Sequence, residues 1–409
     1  MTEILNNFHI GIAAPIITSY LRDYLVLDPA VDLPKGMGGS PSTALALELL
    51  KRGRKVSIFS LDPDIEAPQK FAGENLTIYF GKFRKRGRDR IKDGYGCERE
   101  FVAHAVREAS PDIVNAHWTY EYALGALSAN TPVLVTAHDA PLNIFRHNFN
   151  LFKFNRSVYW LTKLLMAFKV IKKTIYMTTV SPYVAEHLRK RFSYKKLIKV
   201  IPNGVEDSRF FEVDCDKKKT RESFVFVSAA NGWTKLKNEK ILLHAFSVVN
   251  NKYPFTELWM FGIGHEPDGA ANAWAEEESV SKGVRFIGEI PHKEFLEKLL
   301  TNTDVLVHPS LEESFGNVFI EAMSVGIPTI GGKFSGGVPS TLGFGKAGLL
   351  VDVKSENELA KAMVKLIEDK TFREKLGADG KEYAYQNYRI SKIVDQYEEE
   401  YARVLQVCK

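Results

Sequence analysis

Short apolar runs of strand length alternate with longer stretches of helical periodicity, and this alternation restarts near residue 224. Such a pattern predicts parallel sheets flanked by helices, built twice. In the first half the expected strands are Phe8–Ala14, Lys55–Ser60, Ile113–Ala116, Val133–Ala137 and Met177–Val180. Ser42–Arg52 reads as a helix closed by Gly53, and Asn150–Lys173 as a longer helical region with an apolar stripe and a basic remainder. In the second half, strands are expected at Phe224–Ser228, Leu258–Gly262, Val284–Ile287, Val305–His308 and Thr329–Ile330. Helices are expected at Glu239–Asn250, Phe295–Leu300 and Asn317–Val325. The join falls in Ile201–Arg221, where Pro202, Gly204 and the charged tail Asp214–Arg221 mark a linker. A chain of 409 residues suits two domains of about 150–200 residues, here two α/β domains facing a cleft.

Ligands of open α/β sheets gather at strand carboxyl ends, where free amides and helix dipoles favour phosphate. Two segments qualify. Gly36–Met37–Gly38–Gly39–Ser40 precedes the first helix, where glycines let backbone amides approach an anion; a flexible turn is the plainer reading. It is no dinucleotide fingerprint, because about 20 residues separate it from the first strand and the G-x-G-x-x-G spacing is absent. A nicotinamide dehydrogenase is thereby disfavoured. The second segment runs from Leu311 to Met323, where a strand ending at His308–Pro309 leads through a loop into a helix near Asn317. Ser314, Phe315, Gly316, Asn317 and Val318 offer amides to a diphosphate there, and Glu313 and Glu321 set a carboxylate at either end. One acid in a first helical turn only complements the dipole; two, eight apart, suit hydroxyls at opposite ends of an elongated ligand.

This stretch resembles the E-x7-E motif of retaining family 4 glycosyltransferases, which have the GT-B fold. Further segments resemble the family in order: Gly38–Gly39, Asn115–Ala116–His117–Trp118, Val135–Thr136–Ala137–His138–Asp139, Val180–Ser181, Ile201–Pro202–Asn203–Gly204–Val205, Phe261–Gly262–Ile263–Gly264 and Ser335–Gly336–Gly337–Val338–Pro339. The resemblance implies a Rossmann-like acceptor domain over 1–205, a Rossmann-like nucleotide-sugar domain over 206–385, and a C-terminal helix, 386–409, packing back toward the first. It also implies that Glu321 holds ribose hydroxyls and that Glu313 lies against the donor sugar. The Gly38, Gly39 and Gly262 loops and the 316–318 amides belong to the donor site, with Lys237 gripping phosphate. His138 lines the sugar site. The family's partner arginine is missing: Gly232 or Trp233 stands near its place, Lys235 is the candidate substitute, and Asn238 replaces the usual glycine. A lysine is a point charge and does not reproduce the arginine fork. His117 and Asp139 are the candidates on the acceptor side; Asp139 either orients the acceptor or caps its loop.

The reaction so implied moves a sugar from a nucleotide-diphosphate sugar to an acceptor hydroxyl with retention, in polysaccharide, lipopolysaccharide or glycolipid assembly. His138, Glu313 and Lys237 are the catalytic candidates. No cofactor or metal is expected: Asp62–Pro63–Asp64 has a D-x-D spacing but sits in a proline turn. The readings that stay open are an epimerase or phosphorylase on the same fold, and a silent sugar-nucleotide-binding partner.

With 45% hydrophobic and 26% charged residues, the chain should be compact, without long disordered tails. The apolar run Phe8–Ile17 is too short to span a bilayer, and the first residues lack the basic, apolar, small-residue pattern expected of a secretion signal. Cys97, Cys215 and Cys408 are widely spaced and suggest neither zinc nor a disulfide framework, so a cytoplasmic protein with reduced thiols is expected. The net charge of +5 collects in the first half, in Lys82, Arg84, Lys85, Arg86, Arg88, Arg90 and Lys92, and again in Arg146, Lys153, Arg156, Lys163, Lys169, Lys172 and Lys173. Such runs are commonly solvated faces. Asn150–Lys173 equally fits an interfacial helix on the inner, anionic face of a membrane, serving a lipid-linked or glycan acceptor. No nucleic-acid module is apparent.

Overall fold

The computed structural model describes residues 8–28, 30–150, 154–211 and 222–408, the side chain of 408 excepted. Lys153, Cys215, the side chain of Cys408 and the Asp214–Arg221 tail lie outside the described residues. The chain divides into two units, one formed by 1–204 with 390–409 and the other by 205–389.

The first unit is built on eight strands: β1 (His9–Ala13), β2 (Lys55–Asp62), β3 (Gln69–Ala72), β4 (Leu76–Lys82), β5 (Ile113–His117), β6 (Val133–Ala137), β7 (Tyr176–Thr179) and β8 (Ile198–Val200). Their order is β3-β4-β2-β1-β5-β6-β7-β8. All pairings are parallel except β3 with β4, which departs from the all-parallel expectation. Only Gly73, Glu74 and Asn75 separate these two strands, far too few for a crossover, so they close as an antiparallel hairpin at the sheet edge. β3, β4 and β8 escaped the sequence reading. β4 in particular ends on Lys82, the first residue of a run read as a charged surface.

The last helix, Ile390–Cys408, belongs to the first unit. Ile390, Ile393, Val394, Tyr397, Tyr401, Val404 and Leu405 recur at helical spacing and are buried in that unit's core. Polar contacts fix its register. Tyr401 OH accepts from Asn115 Nδ2 at 2.9 Å, and Arg54 Nε meets Glu398 at 2.8 Å with both side chains buried.

The second unit carries β9 (Phe224–Ala229), β10 (Thr256–Phe261), β11 (Val284–Gly288), β12 (Val305–His308), β13 (Thr329–Gly332) and β14 (Leu349–Val351). All are parallel, in the order β11-β10-β9-β12-β13-β14. This is the doubly wound order, with its switch point between β9 and β12. Phe226, Leu242, Phe246, Met260, Val305, Ile330, Leu359 and Met363 fill the core between the sheet and its helices.

Candidate active site

At the switch point of the second unit, the loops after β9 (230–238), β12 (309–316) and β13 (333–337) are bound to one another. Leu311 N–H donates to Leu236 O at 2.8 Å, and Gly337 N–H to Glu313 O at 2.7 Å. Ser335 Oγ donates to Ser310 O at 2.6 Å. Asn238, where the resemblance has glycine, adopts φ 58°, a left-handed conformation that asparagine tolerates. Its amide donates to Pro309 O at 3.1 Å and Val353 O at 2.7 Å. Asn238 therefore holds a left-handed turn and ties three loops together.

Lys237 and Glu313 meet in this frame, with Nζ 2.6 Å from Oε1. His308, the last residue of β12, sets Nε2 3.0 Å from the same oxygen. Burial opposes ionisation of Glu313, yet the Lys237 ammonium and the His308 hydrogen bond outweigh it and hold the carboxyl well below the usual range. For Lys237, burial is likewise outweighed by Glu313, and its pKa is raised. The two charges thus hold each other ionised. His308 was not among the site residues expected from sequence.

Glu321 lies on the helix Asn317–Ser324, and its Oε1 is 3.0 Å from His292 Nε2. Burial would lower the His292 pKa, but the bond to Glu321 prevails and raises it. Gly316 caps the helix at φ 86°. Ser314, Gly316, Asn317 and Val318 are partly exposed beside it. Phe315 differs: its ring is buried edge-on against Tyr388 at 5.4 Å, so only its backbone can serve a ligand.

Lys235 is exposed and forms no ion pair among the described residues. Trp233 packs against Trp274 at 5.6 Å and His265 at 5.9 Å, so the arginine's neighbourhood is filled by an aromatic core contact. Gly262, at φ 104°, would carry a Cβ only 2.1 Å from Ala230 O; it lets the loops after β9 and β10 touch. Nearby, His265 is fully buried, with Nε2 2.8 Å from Glu239 Oε2 and Nδ1 3.1 Å from Gly262 O. Carboxylate and carbonyl are both acceptors, so the two contacts favour a ring that donates from both nitrogens, the imidazolium form, and its pKa is raised.

In the first unit, Gly39 caps the helix Ser40–Lys51 at φ 90°, and a Cβ there would lie 2.1 Å from Pro15 O. Gly38, at φ 83°, has nothing within 4 Å of such an atom and is exposed. Gly36 N–H donates to Asp62 Oδ2 at 2.8 Å, so the first acid of Asp62–Pro63–Asp64 clamps this loop. At the ends of β5 and β6, His117 Nδ1 is 2.8 Å from His138 Nε2. His117, for which an acceptor contact was expected, is only 1% exposed and faces His138. Burial pushes His117 down to about 3 and, with His117 beside it, drives His138 well below its ordinary value. Asp139 Oδ2 accepts from Tyr120 OH at 2.7 Å. Burial pushes that carboxyl up to about 6 against the Tyr120 bond, and its Oδ1 has no partner among the described residues.

Two family models match consecutive parts of the chain: Glycosyltransferase Family 4 over residues 42–209 and Glycosyl transferases group 1 over 209–383. The chain is a family 4 glycosyltransferase. It is 23% identical to N-acetyl-alpha-D-glucosaminyl L-malate synthase of Bacillus anthracis over 74% of this chain and 78% of that one. Among solved structures, sucrose-phosphate synthase of Thermosynechococcus elongatus matches with TM-score 0.77 at 20% identity, covering 98% of this chain and all of the other. Anabaena HepE, solved with UDP and glucose, matches with TM-score 0.68 at 19% identity over 97% of this chain and all of its own. Both belong to the GT-B fold.

The basic residues of the glycosyltransferase are less free than their sequence suggests. Arg84 is paired with Asp93 and Glu98, Lys85 with Asp64 at 2.7 Å, and Lys82 with Glu66. Arg90 is buried with its guanidinium over Phe83 at 4.2 Å. Lys163, expected on a basic surface, is buried 2.6 Å from Glu121. The outer face of the helix Phe154–Lys173 is different. Phe154, Leu161, Leu165 and Phe168 are exposed along one side, Phe154 at 73%, beside exposed Lys169, Lys172 and Lys173. Among the described residues no helix is long and apolar enough to cross a membrane, and no cluster of three or more His, Cys, Asp or Glu could hold a metal ion.

Proposed function

We propose that the enzyme moves a sugar from a nucleoside diphosphate sugar to an acceptor hydroxyl with retention. The observation that carries this reading is the Lys237–Glu313 pair at 2.6 Å at the switch point, beside the Gly316-capped helix that bears Glu321. In this reading Glu321, oriented by His292, takes the ribose hydroxyls; Glu313 takes the donor sugar; and Lys237 with the 314–318 amides takes the diphosphate. As the anomeric C–O bond to phosphate breaks, charge builds on the leaving oxygens, and each well-placed donor there contributes about 3–4 kcal/mol. The acceptor oxygen bonds the anomeric carbon on the same face, and its proton passes to the leaving phosphate. Lys237 divides its charge between Glu313 and phosphate, so exposed Lys235 supplies the second cation. His138 and Asp139, at strand ends of the first unit, meet sugar or acceptor hydroxyls. No step requires a metal.

The HepE complex with UDP and glucose supports a nucleotide-sugar donor. For the acceptor, the apolar and basic face of the Phe154–Lys173 helix favours a lipid-linked molecule reached at the inner membrane surface. Thermal-shift screening against UDP-, GDP- and ADP-sugars tests the donor. One of them should stabilise the chain by about 2.7 kcal/mol at 100 times its Kd and release nucleoside diphosphate on turnover. Stabilisation by none would overturn the reading. Flotation with anionic liposomes tests the lipid arm: binding should be lost on replacing Lys169, Lys172 and Lys173, and a chain that never floats refutes it.

A further inference from the structure

Two histidines stand behind one another in the first unit, and only the outer one can reach a substrate. The rings of His117 and His138 lie 5.1 Å apart at 27°, with His117 Nδ1 2.8 Å from His138 Nε2. Trp118 stacks against His138, its ring 4.3 Å away at 25°, and lies 6.4 Å from the His117 ring. Trp118 holds φ 62°, a conformation that costs a bulky residue roughly 1–2 kcal/mol, and its N–H donates to Thr136 O at 2.9 Å. The backbone is thus held in an uncommon conformation that keeps the indole against His138. Bonded at Nε2 to His117 and stacked on Trp118, the His138 ring is held in one orientation.

The shared hydrogen bond contains one proton. Burial keeps both rings neutral, so one nitrogen of the pair donates and the other accepts. If His138 Nε2–H were the donor, His117 would carry its own proton on Nε2. That atom is buried without a partner among the described residues; the small cavity that His117 lines is bounded by Pro41, Leu45, Pro202, Asn203, Ile390 and Tyr397. An orphaned N–H is the rarer and costlier arrangement; an unused acceptor lone pair is better tolerated. The proton therefore belongs on His117 Nδ1.

We propose that His117 is a positioning residue: its Nδ1–H fixes His138 in the Nδ1–H tautomer, so that His138 offers a substrate hydroxyl a donor and not an acceptor. The second nitrogen of a histidine sets the identity of the first, and here the setter is another histidine. A substrate oxygen facing His138 must then accept, which favours a hydroxyl whose own proton is used elsewhere. Only the identity of that hydroxyl rests on the transferase reading; the tautomer does not.

Long-range 1H–15N spectra of the full chain, 15N-labelled at histidine and recorded at pH 7.5 without substrate, test this directly. His138, assigned by the signal lost in His138→Asn, should be protonated at Nδ1. His117→Asn, whose amide N–H can replace Nδ1–H, should keep that tautomer and most of kcat/KM. His117→Leu should return His138 to Nε2–H and lower kcat/KM about tenfold, the worth of one neutral hydrogen bond. A wild-type His138 protonated at Nε2, or a tautomer unmoved by His117→Leu, overturns the proposal. Because the tautomer is read without substrate, a wild-type chain that transfers no sugar counts against the transferase reading alone.

Discussion

Lys237→Met separates a charge from its partner in a place where water helps little. Lys237 Nζ and Glu313 Oε1 are 2.6 Å apart, with side chains 21% and 18% exposed. Removing one partner of a fully buried pair costs about 3–5 kcal/mol. The remaining exposure and the His308 bond soften this to about 2–3 kcal/mol. Removing both charges, as Lys237→Met with Glu313→Gln, leaves a neutral amide that His308 can still meet, and should cost about 1 kcal/mol or less. The double variant should then be about 1–2 kcal/mol more stable than Lys237→Met alone. For a unit spanning 205–389, each kcal/mol lowers Tm by about 2–4 °C. Calorimetry should find Lys237→Met melting about 4–12 °C lower, and the double variant within about 4 °C of wild type. Because the folded-state pKa of Glu313 is depressed, the pair's contribution is complete above the unfolded carboxylate value, about 4.3. It fades as pH falls below that, so the penalty should be full at pH 7 and shrink in acid. A Lys237→Met chain melting within 2 °C of wild type, or a double variant melting as low as the two single losses summed, would refute the reasoning.

Three further outcomes follow from the same geometry. Glu321→Ala should weaken nucleoside diphosphate binding by about 10–100-fold, the worth of a hydrogen bond to a charged group; calorimetric titration giving an unchanged Kd would remove Glu321 from the ribose site. His265, whose pKa is raised because Glu239 outweighs burial, stabilises the fold fully below the unfolded value of about 6.5 and less as pH rises through its folded value. Its replacement in His265→Gln should flatten the alkaline loss of Tm, and an unaltered pH profile would contradict the imidazolium. Gly39→Ala forces a Cβ to 2.1 Å from Pro15 O, whereas Gly38→Ala meets nothing within 4 Å. The first should cost about 3 kcal/mol or more and the second about 1 kcal/mol, from φ alone; equal denaturation midpoints would show that the loop simply moves.

Strands flanked by clear apolar runs were legible in the sequence, as β1, β2, β5, β6, β9, β10 and β12 illustrate. β3 and β14 were not: β3 is an edge strand of largely exposed, mixed residues, and β14 is an edge strand only three residues long and half-exposed. Glu313 and Glu321 could be singled out by their spacing about a helix start that follows a strand, and Lys237 only through the family resemblance. His308 and His292 could not be, since nothing local distinguishes a ligand of a carboxylate from any other histidine. Lys163 was misjudged for the opposite reason. Its charge reads as surface, and what offsets its burial is distant in sequence: Glu121, 42 residues away, and the rings of Tyr95 and Tyr120.

By itself, then, the sequence determined the alternation of strands and helices, the left-handed turns that need Gly36, Gly39 and Gly316, and the apolar face of the last helix. Each is a property of a short window, where backbone sterics and hydrophobic spacing act between near neighbours. The pairs that define the chemistry were decided by tertiary structure. β12 lies beside β9 because the doubly wound order skips β10 and β11. That choice brings Lys237 against Glu313 across 76 residues, as β5 beside β6 brings His117 against His138. Hydrogen bonds and ion pairs of 3 Å are insensitive to separation along the chain, and so the sequence carries no local record of them.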